Sequence, residues 1–491
     1  MELLKVSKIP GKKRGTHVFK GDDSNMYHQK EVSGDNTIVR CQLWRKKDQH
    51  CPAKGKIPLG TNDLYLYTPH KHNQPDKLLI KKLKKQLIEK AKTQNLKNRL
   101  IFNEVLSQPE FSGINVPFKE MKRQMSRAKR LNHPPEPNSL NEFKLQMEGT
   151  YANNMTMDGE CFYVGTAGDG GNEGFSVVFI APKLKKILSS GTDFIMDGTF
   201  KAAPKFRGEC IQLFVIMGIA MDVGFPIVYA LMSKKTEDAY CALFHFIKTE
   251  IEVNWNPLSV AIDFEKASIA AVRKIFPTAN IFGCFFHHSQ CIWRKIQQKG
   301  LTQLYRNNSL VNKLIRMFMA IPLLPQHKTR EGFDTLIEFY HVELEDQLDA
   351  IQKHQLNDFF RYYLKTWISG HLGSILSVFN RVRRTNNSLE VSHRHLMAHI
   401  GIPNPSPWLF VDKLLAYSRG TVNDFILAED GVDITEKLPR KWKKQNKRIR
   451  VATERLQERR FNVLEFLKYT KHSTPLFDLE NDEGGTLNLT F

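Results

Sequence analysis

The stretch from residue 174 to residue 298 limits the possible folds most, because short apolar runs typical of strands alternate in it with segments of helical periodicity. Three strands come first, and helix, strand, helix, strand and helix follow. Successive strands with short connections predict antiparallel hairpins, whereas a strand–helix–strand order predicts parallel crossovers. We therefore expect a domain of the α/β class, built on a mixed sheet with helices on both faces.

The segments on either side differ from this stretch in composition. The Pro-rich sequence NHPPEPNS at residues 132–139 predicts a break before the central domain. Leucines at helical spacing, among them Leu83 and Leu87, alternate with lysines and predict a basic amphipathic helix. Its apolar stripe either covers an ordinary core or belongs to a helix that contacts DNA. Residues 299–380 lack strand alternation and predict a helical module.

We predict seven segments, which are a small β-rich module at 15–75, a basic helical linker at 76–150, the first part of the core at 151–298, a helical insertion at 299–380, the completion of the core at 381–425, a basic helical segment at 426–470 and a disordered tail at 471–491. The basic segment contains the densest Lys and Arg sequence of the chain. The tail is acidic and contains glycine, which is typical of disorder.

The overall charge points to a polyanionic partner. The 491 residues have a formal net charge of +21, and nucleic acid is the first candidate for a partner of such a protein. No run of about 18 apolar residues exists to span a membrane, and the N-terminus lacks the apolar stretch of a secretory signal. With only 7 cysteines, the chain is not a disulfide scaffold. We expect an intracellular protein, nuclear where the host has a nucleus.

Three acidic residues carry the clearest chemical signal. Asp197 and Asp263 follow apolar strand-like runs, and Glu390 lies near the start of a helix-like segment. Carboxylate oxygens are the ligands that Mg²⁺ prefers, and paired ions can hold both the attacking and the leaving oxygen of a phosphodiester. The three residues therefore predict a two-metal phosphoryl-transfer site.

Each acid also has an ordinary structural interpretation. The pair Asp197–Gly198 is a typical turn sequence, although the flanking residues fit an extended segment equally well. Asp263 is a candidate N-cap of the following helix. With Asn387 as N-cap, Glu390 would occupy the N3 position of a capping box.

The sequence CFFHHSQC brings Cys284, His287, His288 and Cys291 together. Cysteine and neutral histidine are zinc ligands, but four ligands rarely come from so short a segment. Support of an active site, metal binding and ordinary packing all remain open for this segment. His393 follows Glu390 by three residues and is expected on the same helix face, near the scissile phosphate.

A second candidate metal site lies near the N-terminus. Cys41, Cys51, His70 and His72 supply the four N or S ligands that structural zinc takes in tetrahedral geometry. The strand-like segment between Cys51 and His70 could fold back to bring them together. Chance spacing is the alternative, and His50 is a possible substitute ligand.

Several motifs in order resemble the transposase domain of Mutator-like elements (MULE). They are DGTFKAAPKF, QLFVIMGI, DFEKA, GCFFHHSQCIWRKIQ and RTNNSLEVSHRHL, and the resemblance covers roughly residues 175–400. It implies an RNase H-like core with a helical insertion, and a catalytic triad of Asp197, Asp263 and Glu390 that uses Mg²⁺ or Mn²⁺. The family's Cys-x-x-His signature is matched by Cys284 and His287.

The N-terminal module resembles a FLYWCH-type zinc finger. RC at 40–41, CPAK at 51–54 and HKH at 70–72 match, whereas Val39 stands where an aromatic residue is usual. The resemblance implies that Cys41, Cys51, His70 and His72 bind Zn²⁺, and that the module recognises DNA or protein.

Together these observations predict a DNA transposase that binds double-stranded DNA, forms a homo-oligomer and does not act at a membrane. A DNA-binding regulator that keeps the transposase fold without its catalytic activity is the main alternative. A nuclease or RNA-processing enzyme with the same core is a third hypothesis.

Overall fold

The computed structural model describes residues 2–10, 17–23, 25–45, 50–71, 77–93, 97–111, 114, 116–130, 134–151, 155–157, 159–171, 173–206, 210, 212–435 and 439–475. The chain divides into two compact units, Met1–His133 and Pro134–Phe491. We call them the N-terminal unit and the C-terminal unit and describe each by itself.

The N-terminal unit begins with a closed barrel of six antiparallel strands. These are β1 (Glu2–Pro10), β2 (His17–Gly21), β3 (Met26–Ser33), β4 (Asn36–Cys41), β5 (Lys54–Pro58) and β6 (Asp63–Thr68). Strand β1 pairs with both β2 and β6, which closes the barrel and removes its free edges. The barrel therefore starts upstream of residue 15, where the sequence analysis places the module.

Three helices follow the barrel and have an apolar core of their own. They are α1 (Lys77–Thr93), α2 (Asn98–Leu106) and α3 (Phe118–Arg130). Leu83 and Leu87 of α1 are fully buried and belong to the same apolar cluster as Met121 and Met125 of α3. The leucine stripe of α1 thus covers an ordinary core, and the segment predicted as a linker is a small helical cluster.

The C-terminal unit contains a mixed sheet of seven strands in the order β15-β14-β11-β12-β13-β10-β9. Its strands are β9 (Tyr163–Ala167), β10 (Ser176–Ile180), β11 (Asp193–Thr199), β12 (Gln212–Ala220), β13 (Val223–Met232), β14 (Ser259–Ile262) and β15 (Asn280–Gly283), and a separate pair is formed by β7 (Thr156–Met157) and β8 (Glu160–Cys161). The pairs β11–β14 and β14–β15 are parallel and the others are antiparallel.

The helices of this unit provide the crossovers and a large helical region. They are α4 (Leu140–Gln146), α5 (Lys186–Ser190), α6 (Glu237–Phe246), α7 (Lys266–Ile275), α8 (Phe285–Gln298), α9 (Thr302–Asn307), α10 (Ser309–Ala320), α11 (Thr329–Glu343), α12 (Ala350–Tyr363), α13 (Asn387–Ile400), α14 (Pro407–Glu429), α15 (Arg440–Gln457) and α16 (Val463–Thr470). The prediction of a mixed α/β domain with a β-rich N-terminal module and a helical region is confirmed. Thr236 caps α6, since its side chain accepts a hydrogen bond from the backbone N–H of Ala239.

The crossover helices place β14 parallel to β11 and β15 parallel to β14. Helix α6 connects β13 to β14, and α7 connects β14 to β15. Since β10, β12 and β13 are mostly buried and β11 is buried over its central residues, the sheet forms the centre of the core. Among the residues described, no helix has the length and apolar character needed to cross a bilayer.

The end of the described chain packs against the helical insertion. Helix α16 contacts α10 and α11, and its Phe466 and Leu467 are fully buried. The turn Lys471–Ser473 continues it as a 3-10 helix, and Ser473 and Thr474 are buried. The predicted disordered tail therefore starts too early at residue 471, and its residues 476–491 lie outside the described part of the chain.

Truncation of Leu467 to alanine tests whether α16 belongs to the cooperative core. We expect the Leu467→Ala variant to lose about 2–5 kcal/mol of unfolding free energy, because the substitution removes fully buried apolar atoms and leaves a cavity. Denaturant unfolding measures the loss. Leu464→Ala, at a partly buried position of the same helix, is the control and should lose less. Equal losses would contradict the packing.

Candidate functional site

The two aspartates lie at the same end of neighbouring strands. Strand β11 runs parallel to β14, and Met196 is the register partner of Ile262. Asp197 follows Met196 and Asp263 follows Ile262, so parallel pairing brings both carboxyl groups to one region of the sheet. The charge of Asp263 also contributes to raising the pKa of Asp197.

Asp197 lies inside an extended strand, which excludes the turn alternative. Its Oδ1 accepts a hydrogen bond of 2.8 Å from the backbone N–H of Gly198. A Cβ atom at Gly198 would clash with the side-chain amide of Gln212, which is fully buried. Gln212 is held in turn, because its Nε2 donates to the hydroxyl of Tyr240 at 2.6 Å. Only glycine therefore fits directly after Asp197.

Asp263 sits in a tight turn between β14 and α7. Its Oδ1 accepts from the backbone N–H of Glu265 at 3.3 Å, and Glu265, not Asp263, occupies the N-cap position of α7. The ring of Phe264 fills the space that a Cβ at Gly283 would need and packs edge-on against Trp367 at 4.6 Å between ring centroids. These contacts fix the backbone on both sides of the carboxyl group.

Glu265 is an additional acid beside the site that the sequence analysis does not single out. Its Oε2 lies 2.9 Å from Lys235 Nζ and accepts a hydrogen bond of 3.2 Å from the hydroxyl of Tyr240. Burial raises the pKa of this carboxyl group, while Lys235 opposes the rise. Its place in the motif DFEKA, two residues after Asp263, is the sequence feature that could have identified it as part of the site.

Glu390 reaches the sheet from the first turn of α13, which packs against β11 and β13. The N-cap is Asn386 and not Asn387, and its side chain makes no capping hydrogen bond. The capping-box alternative is therefore wrong. The Glu390 side chain points instead to His287, with 3.5 Å between Oε1 and Nε2.

Cys284 connects the elements that carry Asp263 and Glu390. Its backbone N–H donates to Ile262, the residue before Asp263, at 3.0 Å. Its sulfur accepts at 3.3 Å from the backbone N–H of Asn386, the N-cap of the helix that bears Glu390. Because Cys284 is fully buried, it supports the site through the backbone and is not exposed as a nucleophile.

Burial and nearby like charges disfavour the ionised form of the carboxyl groups at this site. Burial raises the pKa of Asp197 to about 7, with His287 opposing this shift and Asp263 and Glu390 adding to it. Burial also raises the pKa of Glu390, and His287 opposes that shift too. For His287, burial favours the neutral ring, but Cys284 and the two carboxylates outweigh it and raise its pKa to about 10. A protonated His287 thus supplies positive charge between Asp197 and Glu390.

The other histidines of these motifs have different surroundings. His393 lies with Nδ1 4.0 Å from Asp197 Oδ2, and burial lowers its pKa to about 4, so the ring is neutral at pH 7. His288 is fully buried, with Nε2 3.1 Å from the hydroxyl of Tyr363 and its ring against Trp367. His288 is therefore a packing residue, while His287 and His393 approach the acids.

The oxygen donors of Asp197, Asp263 and Glu390 fit divalent cations. The charges of Asp263 and Glu390 both act on Asp197, and His287 lies beside Glu390. Oxygen donors of this kind are what Mg²⁺ and Mn²⁺ prefer. Cations would offset the like-charge repulsion that adds to the effect of burial on the pKa of Asp197. Asp197, Asp263 and Glu390 would hold the ions.

Cys41, Cys51 and His70 form the metal-binding group of the N-terminal unit. Within the described residues, they are the one group of three or more Cys, His, Asp and Glu side chains whose ligand atoms all lie within 4.8 Å of one another. The Nδ1 atom of His70 faces the group, 3.3 Å from the Cys51 sulfur. This cluster could bind zinc. His72, the predicted fourth ligand, lies outside the described residues.

A hydrogen-bond chain behind His70 was not predicted from the sequence. The Nε2 atom of His70 lies 2.9 Å from the hydroxyl of Tyr27, and this hydroxyl donates to Asp23 Oδ2 at 2.6 Å. Such a chain holds the Nε2–H tautomer and leaves Nδ1 for a metal. Nothing in the spacing of Asp23 and Tyr27 relates them to His70, because the barrel brings them together from 43 residues or more away.

Removal of the Tyr27 hydroxyl tests this arrangement. We expect Tyr27→Phe to lower zinc affinity by about 10–100-fold, the usual effect of losing an outer partner of a ligating histidine. Competition with a chromophoric chelator measures the affinity. Tyr67→Phe, at an exposed position of β6, should leave it unchanged. An unaltered affinity in Tyr27→Phe would show that the chain does not orient His70.

Removal of the Cys284 sulfur tests its connecting role. We expect Cys284→Ala to cost about 1–3 kcal/mol of unfolding free energy, because the buried backbone N–H of Asn386 loses its acceptor. Denaturant unfolding of the variant measures the cost. Cys291→Ala on α8 is the matched control, since Cys291 is only partly buried. A loss no larger than that of the control would argue against the connection.

The comparisons with known proteins bear on the central sheet. A comparison with curated proteins found no match. Residues 194–290 match the family model of the MULE transposase domain. The matched range runs from β11 to α8, so it contains Asp197, Asp263 and His287 but ends before Glu390. This match supports a relationship of the central sheet of this protein to the MULE transposase family.

Proposed function

We propose that this protein is a DNA transposase of the Mutator-like class, with an RNase H-like core and a DDE-type acidic triad. The observation that carries the proposal is that Asp197 and Asp263 follow paired residues at the same end of two parallel strands, while Glu390 on α13 is close enough for its charge to act on Asp197. The family match over residues 194–290 supports it from the sequence side.

The chemistry of the proposal is two-metal DNA cleavage followed by strand transfer. Bound Mg²⁺ or Mn²⁺ would activate water, and later a DNA 3′-hydroxyl, for in-line attack and would stabilise the leaving oxygen. Asp197, on which the charges of Asp263 and Glu390 both act, would hold the ions together with these two acids. His287 positions Glu390 through its Nε2 atom. Cys284 holds the turn after β14 and the start of α13 in register.

The remaining parts of the chain supply DNA recognition. The N-terminal barrel acts as a FLYWCH-type zinc module that reads the ends of the element, while basic segments contact phosphates. Phosphate contacts give affinity without sequence information, and base contacts give specificity. The joining of two DNA ends in one complex calls for a homo-oligomer, and the protein acts in the nucleus.

Nicking of supercoiled plasmid tests the proposal. The purified protein with Mn²⁺ should nick the plasmid, and Asp197→Asn, Asp263→Asn and Glu390→Gln should each abolish nicking, because each removes a negatively charged oxygen ligand at nearly constant shape. Agarose gel electrophoresis of the plasmid topoisomers measures the reaction.

The matched control is Asp222→Asn, which removes an exposed acid at the β12–β13 turn. Asp222 has a positive φ of 58°, a conformation that asparagine also adopts readily, so this variant keeps the fold. Nicking that persists in a folded triad variant would refute the proposed triad. A folded wild-type protein that binds DNA and nicks neither plasmid nor element ends would favour the alternative, a non-catalytic DNA-binding regulator derived from a transposase.

A further inference from the structure

Five basic side chains converge where the helical insertion meets the last described helices. We call them the cationic cluster, and its members are Lys313 and Arg316 on α10, Arg448 on α15, Lys468 on α16 and Lys471 in the turn that follows α16. Helix α10 contacts both α16 and this turn, and α15 contacts the turn as well. The cluster thus combines residues more than 130 positions apart in the chain.

Neutral contacts hold these side chains in place. Arg316 Nε donates to the Thr474 hydroxyl at 3.2 Å. Arg448 donates to the backbone carbonyl of His472 at 3.3 Å, and Lys471 Nζ lies 2.7 Å from the ring Nε2 of the same histidine.

One aromatic ring accommodates two of the lysines. Lys313 Nζ and Lys468 Nζ lie 5.0 and 5.6 Å from the ring centroid of Phe339, within cation–π range. None of these partners carries a negative charge, so the side chains are positioned without being neutralised.

No acid neutralises the cluster within the described residues. None of its five members forms an ion pair there, whereas other basic residues of the same helical region do. Lys299 pairs with Asp358, for example, and Arg330 with Asp334. Burial lowers the pKa of Lys471, and the charges of Arg316, Lys313 and Arg448 lower it further. Mutual repulsion of this kind persists without an anion and is relieved when one binds.

The neighbouring surface fits a ligand with several successive negative charges better than a single anion. Lys441 and Lys444 precede Arg448 on α15 by seven and four residues, so they lie on the same helix face, and both are exposed. At about 1.5 Å per residue, this row extends the positive surface by roughly 10 Å. A single phosphate would use only one part of it.

We propose that the cationic cluster binds consecutive backbone phosphates of duplex DNA, with Lys441 and Lys444 continuing the contact along α15. This inference rests on the proposed function, which makes DNA the substrate, and adds a contact surface formed jointly by the insertion and the C-terminal helices. The contact supplies affinity and orientation, not base specificity.

The test compares the salt dependence of DNA binding in the full-length protein and the double variant Lys313→Gln/Lys471→Gln. Each lost phosphate contact lowers the slope of log affinity against log salt by about 0.9. We expect the double variant to lose about 1–2 units of slope on a linear duplex of random sequence. Fluorescence anisotropy over a salt series measures this value. The melting temperature should stay unchanged or rise, because a repulsive pair is removed.

The control is Arg330→Gln, which removes a cation that Asp334 already neutralises, and its slope should equal that of the wild type. An unchanged slope in the double variant would overturn the inference, as would a lowered melting temperature with a slope equal to that of the control.

Tripolyphosphate serves as a small polyanion. Binding of tripolyphosphate that needs Lys313 and Lys471, combined with an unchanged DNA slope, would assign the cluster to small phosphates and also overturn the inference.

The same experiment separates this inference from the proposed function. Plasmid nicking that depends on the triad, together with an unchanged slope, leaves the transposase proposal intact and removes only the DNA role of the cluster. A reduced slope with no nicking retains the phosphate contact and removes the catalytic proposal.

Discussion

Strands β11 and β14 pair in parallel, and the acidic site depends on this pairing. A register with Met196 opposite Ile262 brings the following aspartates to the same end of the sheet. A shift by one residue would turn one of the two carboxyl groups to the other face, since side chains alternate along a strand. The α6 crossover, with Thr236 as its N-cap, makes the parallel arrangement possible.

The position of the acids has an electrostatic consequence that explains much of their surroundings. A buried carboxyl group favours its neutral form, and like charges nearby strengthen that tendency. Protonated His287 offsets part of the repulsion between Asp197 and Glu390, and divalent cations would offset the rest. Cys284 also contributes backbone geometry, because its N–H bonds to the last residue of β14 and its sulfur accepts from the N-cap of α13.

The two units differ in how their polar and charged side chains are paired. In the N-terminal unit, the chain from Asp23 through Tyr27 to His70 pairs every polar atom along its path and presents Nδ1 to the two cysteines. In the C-terminal unit, the cationic cluster is held only by neutral partners within the described residues. The first arrangement suits a metal that stays bound, and the second suits a polyanion that binds and leaves.

The sequence by itself determined the mixed α/β class, the helical region and the choice of Asp197, Asp263 and Glu390 as candidates, because hydrophobic periodicity and carboxylate chemistry are local properties. Local patterns also gave wrong caps at Asp263 and Asn387, since several neighbouring residues could serve as caps. Only the tertiary structure decided the partners that lie far apart in the chain. Glu265 with Lys235, Tyr27 behind His70, and Lys313 beside Lys471 meet because strand pairing and helix packing join distant segments, which no spacing in the sequence encodes.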